Sequence, residues 1–201
     1  DVLTYDVEHH ETLKLISKRQ LKRAVNLAVS TWNFEIPLKF KSAWNTQADI
    51  EIRFKTKDED KYFKDRPSVL AYAYYPGQAN FSGRVVFNAS YIWDLKGKGI
   101  KGSDAIKKGL VENVSYPENI LKTYNLYAVL IHELGHTLGL KHDVTGAKDG
   151  EDIMDPYYSV KNLDLSDRDI YRIRVKYGVR VYDRFVWYNI IKRWLSLAIR
   201  R

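Results

Sequence analysis

The chain has 201 residues, which is enough for one domain with its own hydrophobic core. Hydrophobic residues make up 45% of it and aromatic residues 13%, so an intrinsically disordered chain is excluded. It has no cysteine, which excludes disulfides and thiolate metal sites, and its net charge of +8 permits an acidic partner without requiring one.

The first half of the chain predicts five strands and one amphipathic helix. Apolar residues recur at helical spacing between residues 17 and 32, with Lys and Arg between them, so this segment predicts a helix of about four turns. A charged surface loop is predicted at residues 55–67. Alternating apolar and polar residues predict strands at 2–8, 37–43, 48–55, 69–77 and 83–93.

The second half predicts helices. Residues 94–123 are rich in lysine and glycine and predict a long inserted connection with a short helix near 104–111. Residues 123–139 are apolar around much of the helical surface, so they predict a buried helix. A last helix is predicted at residues 165–178, with Ser166 as its N-cap.

This order of elements indicates an α+β domain over residues 1–178. The remaining residues, 179–201, form a basic tail whose apolar residues fall at helical spacing, which predicts an amphipathic helix. Three alternatives remain for this tail: packing on its own domain, binding an acidic or membrane surface, or disorder.

Three histidines and a glutamate are concentrated in the sequence HELGHTLGLKH, which begins at His132. His132 and His136 are four apart on a predicted helix, so their side chains project from one face and can hold one zinc ion. Gly139 allows the helix to end in a conformation that is costly for other residues, so the chain can return His142 as a third ligand. Three protein ligands leave a fourth position for water, which is typical of a catalytic zinc site.

Glu133 is offset by one residue, which places it too far round the helix to be the natural third ligand. It is well placed beside the metal to take a proton from bound water. A bare H-E-x-x-H also occurs by chance, but the extended H-E-x-x-H-x-x-G-x-x-H adds two fixed positions. Three of the five histidines fall inside it, so coincidence is a poor explanation.

The extended motif resembles that of the metzincin zinc endopeptidases. That clan places a methionine turn beneath the metal, and the chain's only methionine, Met154, follows His142 by twelve residues. Within the clan the chain is most similar to the matrixins, the catalytic domains of matrix metalloproteinases. Segments that resemble this family occur in its order: LTYDV, VNLAVSTWNFEIPLKF, ADIEIRF, LAYAYYPG, YNLYAVLIHELGHTLGLKH, MDPYY and LSDRDIYRIRVKYG.

The resemblance implies a zincin-like α+β fold. This is a twisted, mainly parallel sheet with an antiparallel substrate-binding edge strand, an active-site helix and a C-terminal helix. It also implies zinc-dependent hydrolysis of internal peptide bonds through a zinc-bound water, with Glu133 as general base. Gly139 and Met154 would support the site. An apolar S1′ pocket is expected to be roomy because the position that sets its depth is a small alanine. The implied substrate-binding residues are Leu70, Ala71, Ala73, Ala128, Pro156 and Tyr158.

Departures from the matrixin pattern concern the metals. Matrixins usually bind a second, structural zinc through three histidines and an aspartate, and the matching places hold Tyr72, Val86 and Asn88. His9 and His10 are adjacent and remote in sequence, so one catalytic zinc and no structural zinc are predicted. The sequence DRPSVL lacks the glycine-rich and carboxylate-rich loop expected for calcium, so Ca²⁺ receives little support.

Expected partners are protein or peptide substrates and protein inhibitors, with no nucleic acid, and the protein is expected to be a monomer. The opening segment has no signal-peptide pattern, so a mature, secreted form is expected. The competing hypothesis is a catalytically dead, zinc-bearing module that binds proteins. Retention of Glu133 argues against it, since a site released from catalysis need not keep its base.

Overall fold

The computed structural model describes residues 1–43, 47–144, 151–161 and 163–181. The strands are β1 (Val2–Val7), β2 (Lys39–Ser42), β3 (Ile50–Lys55), β4 (Ala71–Ala73), β5 (Arg84–Asn88), β6 (Trp93–Asp94), β7 (Ile100–Lys101), β8 (Ile120–Leu121) and β9 (Tyr124–Asn125). The helices are α1 (Lys18–Glu35), α2 (Lys61–Asp65), α3 (Gly102–Lys107), α4 (Leu126–Thr137) and α5 (Asp167–Tyr177).

The central sheet has five strands in the order β2-β1-β3-β5-β4. β1 runs parallel to β2 and β3, and β3 runs parallel to β5, whereas β4 pairs antiparallel with β5 at the edge. Ile50, Ile52 and Phe54 of β3 are buried at alternate positions, so this strand turns one face to the core. The predicted α+β class, with a mainly parallel sheet and an antiparallel edge strand, is confirmed.

Helix α1 packs against α4 and forms much of the core. It begins at a capping box, in which the Ser17 hydroxyl accepts the Gln20 backbone N–H and the Gln20 side chain accepts the Ser17 N–H. The helix continues three residues beyond the predicted end at residue 32. Its last turn is held by α5, because Arg174 Nη2 lies 2.6 Å from the Glu35 carboxylate.

Two predicted connections contain more regular structure than expected. The charged segment 55–67 includes α2, because Asp60 caps the helix at the Tyr62 N–H and Phe63 is buried beneath it. The segment 94–123 contains the short helix that was predicted there, as α3, and also β7 and β8, which were not predicted and which pair antiparallel. The predicted charged loop is therefore partly helical, because the Asp60 cap and the buried Phe63 stabilise a short helix within it.

The start of the predicted tail contacts α1. Arg180 Nε donates to the Ile36 carbonyl at 2.7 Å, and Arg180 Nη2 donates to Asn33 Oδ1 at 2.8 Å. The rest of the tail, from residue 182, lies outside the described residues, as does its predicted amphipathic helix. None of the helices that the structure describes is long and apolar enough to cross a membrane.

Candidate metal centre

Helix α4 carries the first two histidines of the motif. It begins where the Asn125 side chain accepts the Ala128 N–H at 3.2 Å. The helix ends beside Gly139, whose φ of +85° lies in the left-handed region that favours glycine. Two hydrogen bonds close this end, from the Leu140 N–H to the Gly135 carbonyl and from the Gly139 N–H to the His136 carbonyl. The chain reverses here, as predicted.

The three histidine rings converge through their Nε2 atoms. His142 Nε2 lies 3.2 Å from His132 Nε2 and 3.1 Å from His136 Nε2. His132 Nδ1 lies 2.7 Å from the Ile153 carbonyl, and His136 Nδ1 lies 2.7 Å from the Leu140 carbonyl. A carbonyl only accepts, so each of these Nδ1 atoms carries the proton and each Nε2 presents a lone pair.

This spacing fits a tetrahedral zinc ion. Zinc–nitrogen bonds of about 2.0–2.1 Å place neighbouring ligand nitrogens about 3.3 Å apart. The carbonyl contacts at Nδ1 are also the kind that orient metal-binding histidines. Within the described ranges, His132, His136 and His142 are the one group of three or more side chains spaced to hold a metal ion.

Burial keeps the histidines neutral. Together with a smaller contribution from the neighbouring imidazoles, it lowers the pKa of His132 to about 3 and that of His136 to about 4. Partial burial also lowers the pKa of His142. A metal ion would therefore meet unprotonated ligands at pH 7.

Glu133 is buried next to this cluster. Its Oε2 atom is fully enclosed and has no hydrogen-bond partner among the residues the structure describes. Burial raises its pKa to about 8, so the carboxyl group is mainly protonated at pH 7 in the absence of a metal. A buried, unpaired carboxyl oxygen beside three converging imidazoles is typical of a reactive centre rather than a structural one.

Tyr75 borders the same centre, although the sequence analysis did not single it out. Its ring meets the His136 ring edge-on, with the centroids 5.3 Å apart. Burial raises the pKa of Tyr75, and the charge of Glu133 raises it further. In the sequence, Tyr75 lies within the strand predicted at residues 69–77, whereas the observed β4 ends at Ala73.

Met154 lies directly beneath α4. It is fully buried, and a side chain at Gly135 would overlap its sulfur and come within 3.0 Å of Trp32 Cζ2. Asp169 of α5 fixes the turn by accepting the Ile153 N–H at 2.8 Å and the Met154 N–H at 3.3 Å. A supporting methionine is predicted here from the sequence, whereas the roles of Gly135 and Asp169 are not.

The matrixin family model matches residues 1–178. The chain belongs to the matrixin family. Over 80% of this chain, it is 31% identical to matrix metalloproteinase-2 of Drosophila melanogaster. It is also 29% identical to neutrophil collagenase of Homo sapiens over 88% of this chain, and 31% identical to macrophage metalloelastase of Oryctolagus cuniculus over 81% of this chain. The matched regions cover 19%, 32% and 30% of those proteins, so the chain spans about a fifth to a third of their length.

The predicted substrate-binding residues of this matrixin lie in or next to β4, in the first turn of α4 and in the segment after Met154. Leu70 precedes the edge strand β4, which contains Ala71 and Ala73 and packs beside α4. Ala128 is buried in the first turn of that helix. The backbone N–H of residue 125, at the start of α4, donates to the Tyr158 hydroxyl at 2.8 Å. The exposed Pro156 lies between this tyrosine and Met154 in the chain.

Tyr72, Val86 and Asn88, which stand where matrixins are expected to bind a second zinc, make other contacts. The Tyr72 hydroxyl donates to Asp60 Oδ2 at 2.8 Å, and the Asn88 side-chain amide donates to the Val69 carbonyl at 3.1 Å. Val86 is buried. The absence of a structural zinc, and the weak support for calcium, stay predictions.

Proposed function

We propose that this matrixin is a zinc-dependent endopeptidase that hydrolyses internal peptide bonds of protein substrates. The observation that carries the proposal is the convergence of three Nε2 atoms beside the enclosed, unpartnered carboxyl oxygen of Glu133. His132, His136 and His142 would hold the ion. When bound, zinc supplies Lewis-acid polarisation of the scissile carbonyl and lowers the pKa of a water.

Glu133 acts as the general base. It takes a proton from the attacking water and then delivers it to the leaving nitrogen. Burial raises the pKa of this carboxyl group and a bound divalent cation would favour its ionised form, so the group can take a proton from water and give it up again. The Tyr75 ring lies against the His136 ring, so it limits the space on one side of that metal ligand.

The substrate binds as an extended strand along β4. One side of β4 pairs with β5, and the other is the edge of the sheet, where an extended peptide adds its backbone hydrogen bonds. Tyr158, which is tied to the start of α4, and Pro156 form the wall of the S1′ pocket. The small Ala128 leaves this pocket roomy, so it prefers Leu, Met or an aromatic side chain. If the enzyme preferred peptides with Arg or Asp at P1′ in a peptide library, the proposal of an apolar S1′ pocket would be wrong.

Metal analysis combined with a cleavage assay tests the function. We expect one zinc per chain, and cleavage of casein or gelatin that a chelator removes and added zinc restores. Glu133→Ala should keep the zinc and lose hydrolysis, whereas Glu118→Ala, at an exposed glutamate, should change neither. Near-normal turnover by Glu133→Ala would refute the mechanism. Zinc binding with no cleavage by the unmodified protein would favour the protein-binding module instead.

We also propose an extracellular location, protein inhibitors and a monomeric state, which do not depend on the cleavage chemistry. A single zinc per chain is proposed because Tyr72, Val86 and Asn88 replace the residues that bind a second zinc in matrixins. The metal analysis above tests it directly, since two zinc ions per chain would overturn it.

A further inference from the structure

Helix α5 contacts the segment around His142 through a stripe of basic side chains. Arg168, Arg172 and Lys176 are four residues apart, so they lie along one face of α5. Arg172 Nη2 donates to the Lys141 carbonyl at 2.6 Å. The aliphatic part of the Lys176 side chain covers the C-terminal end of α4, because a Cβ added at Gly139 would lie 2.6 Å from Lys176 Cε. The segment that returns the third histidine therefore rests on α5.

Asp143, the residue after His142, is the main partner of the arginines. Its side chain is largely buried. It accepts a hydrogen bond from Arg168 Nη2 at 2.8 Å, and Arg172 Nη1 lies 3.5 Å from it as an ion pair. Its backbone N–H donates to the Met154 carbonyl at 2.9 Å. A buried carboxylate needs such cations nearby, so the two arginines stabilise the conformation of the segment that holds His142.

His142 needs this support more than the other two histidines do. The rings of His132 and His136 are each fixed by a hydrogen bond from Nδ1 to a backbone carbonyl. Among the described residues no such bond is made by His142 Nδ1, and the residue is exposed. A cavity of about 570 Å³ borders it, so the position of this ring depends on its backbone.

We propose that Arg168 and Arg172 are positioning residues for the third metal ligand. They hold residues 141–143 against α5, so that His142 Nε2 stays within about 3.2 Å of the other two Nε2 atoms. The conformational entropy of this exposed ligand is then lost when the protein folds rather than when the metal binds. Zinc binding therefore costs less free energy. This inference rests on the proposed zinc site and adds to it two residues outside the zinc-binding motif.

Zinc affinity measured by competition with a chromophoric chelator tests the inference without any cleavage assay. The variant Arg168→Gln/Arg172→Gln should bind zinc about 10–100-fold more weakly, the range typical for loss of groups that orient metal ligands. Arg174→Gln is the matched control. It removes an arginine from the same helix and an ion pair of 2.6 Å, but this pair faces Glu35 of α1. Its zinc affinity should stay within about twofold of the wild type.

Thermal unfolding of the metal-free proteins separates positioning from stability. If the double variant and Arg174→Gln lose zinc affinity equally, or if neither does, the inference is overturned. If the double variant does not fold, Arg172→Lys replaces it as the test variant for zinc binding. It keeps the charge but cannot reach both the Lys141 carbonyl and Asp143, so we expect several-fold weaker zinc binding. Wild-type protein that binds no zinc would overturn the proposed function and this inference with it.

Discussion

Replacing Glu133 with glutamine should change the pH dependence of the stability of the metal-free protein. Glutamine has nearly the same shape but does not ionise. In the folded protein, burial raises the pKa of Glu133 from 4.5 to about 8, and its Oε2 atom has no hydrogen-bond partner among the described residues. The ionised form is therefore costly in the fold and not in the unfolded chain.

The sign and size of the effect follow from the two pKa values. Below pH 4.5 both states hold the proton, so the contribution to stability is fully present there. Between pH 4.5 and 8 the unfolded state has lost the proton while the folded state still holds it, so the free energy of unfolding falls by about 1.4 kcal/mol per pH unit at most and levels off above pH 8. Between pH 5 and pH 9 the loss from this one group is about 4 kcal/mol.

Urea unfolding in the presence of a chelator measures this difference. Trp32 and Trp93 are buried and report the transition by fluorescence. The wild type should lose several kcal/mol more than Glu133→Gln between pH 5 and pH 9, so the variant should become the more stable protein at pH 9. Glu118→Gln, at an exposed position, should follow the wild type. Equal pH dependence in the wild type and Glu133→Gln would refute the burial of an unpaired carboxyl group.

Three substitutions test the packing around the site. Gly135→Ala should lower the free energy of unfolding by about 1–3 kcal/mol although alanine favours helices, because its methyl group would overlap the Met154 sulfur; a raised melting temperature would contradict this contact. Tyr72→Phe should cost about 1 kcal/mol in urea unfolding through loss of the hydrogen bond to Asp60, and an unchanged midpoint would show that the bond contributes nothing. Ala128→Leu should lower kcat/KM about 10-fold or more for peptides with an aromatic P1′ side chain relative to alanine at P1′. An equal loss for both peptides would argue against a pocket at this position.

The spacing of the histidines was sufficient to predict the metal centre because α4 is a regular helix. A helix fixes residues four apart on one face, and a glycine with positive φ fixes the reversal, so local rules place His132, His136 and His142. The same reasoning predicted the edge strand, since alternation marks β4 and its antiparallel pairing follows from the matrixin resemblance. These features depend on contacts that are close in sequence or on a pattern that extends over many residues.

The missed residues depend on contacts between distant segments. Tyr75 follows the edge strand, and its position over His136 requires the turn that Gln78 holds by accepting the Tyr75 N–H at 2.6 Å. Gly135 must be small only because Trp32 and Met154 meet beneath it. Neither requirement appears in the local pattern, because each arises where separate elements pack together.

Proton release on zinc binding provides a last test of how the site is built. The buried histidines are already neutral at pH 7, so they have no protons to lose. Glu133, with a pKa near 8, is about 90% protonated there, and a nearby divalent cation favours its ionised form. Zinc binding should therefore release about 0.9 proton more from the wild type than from Glu133→Gln at pH 7, and only about 0.1 more at pH 9. Calorimetry in buffers of different ionisation enthalpy measures this difference. If the difference were zero at pH 7, Glu133 would not lose a proton when zinc binds, and the bound cation would not be what converts this carboxyl group into the base.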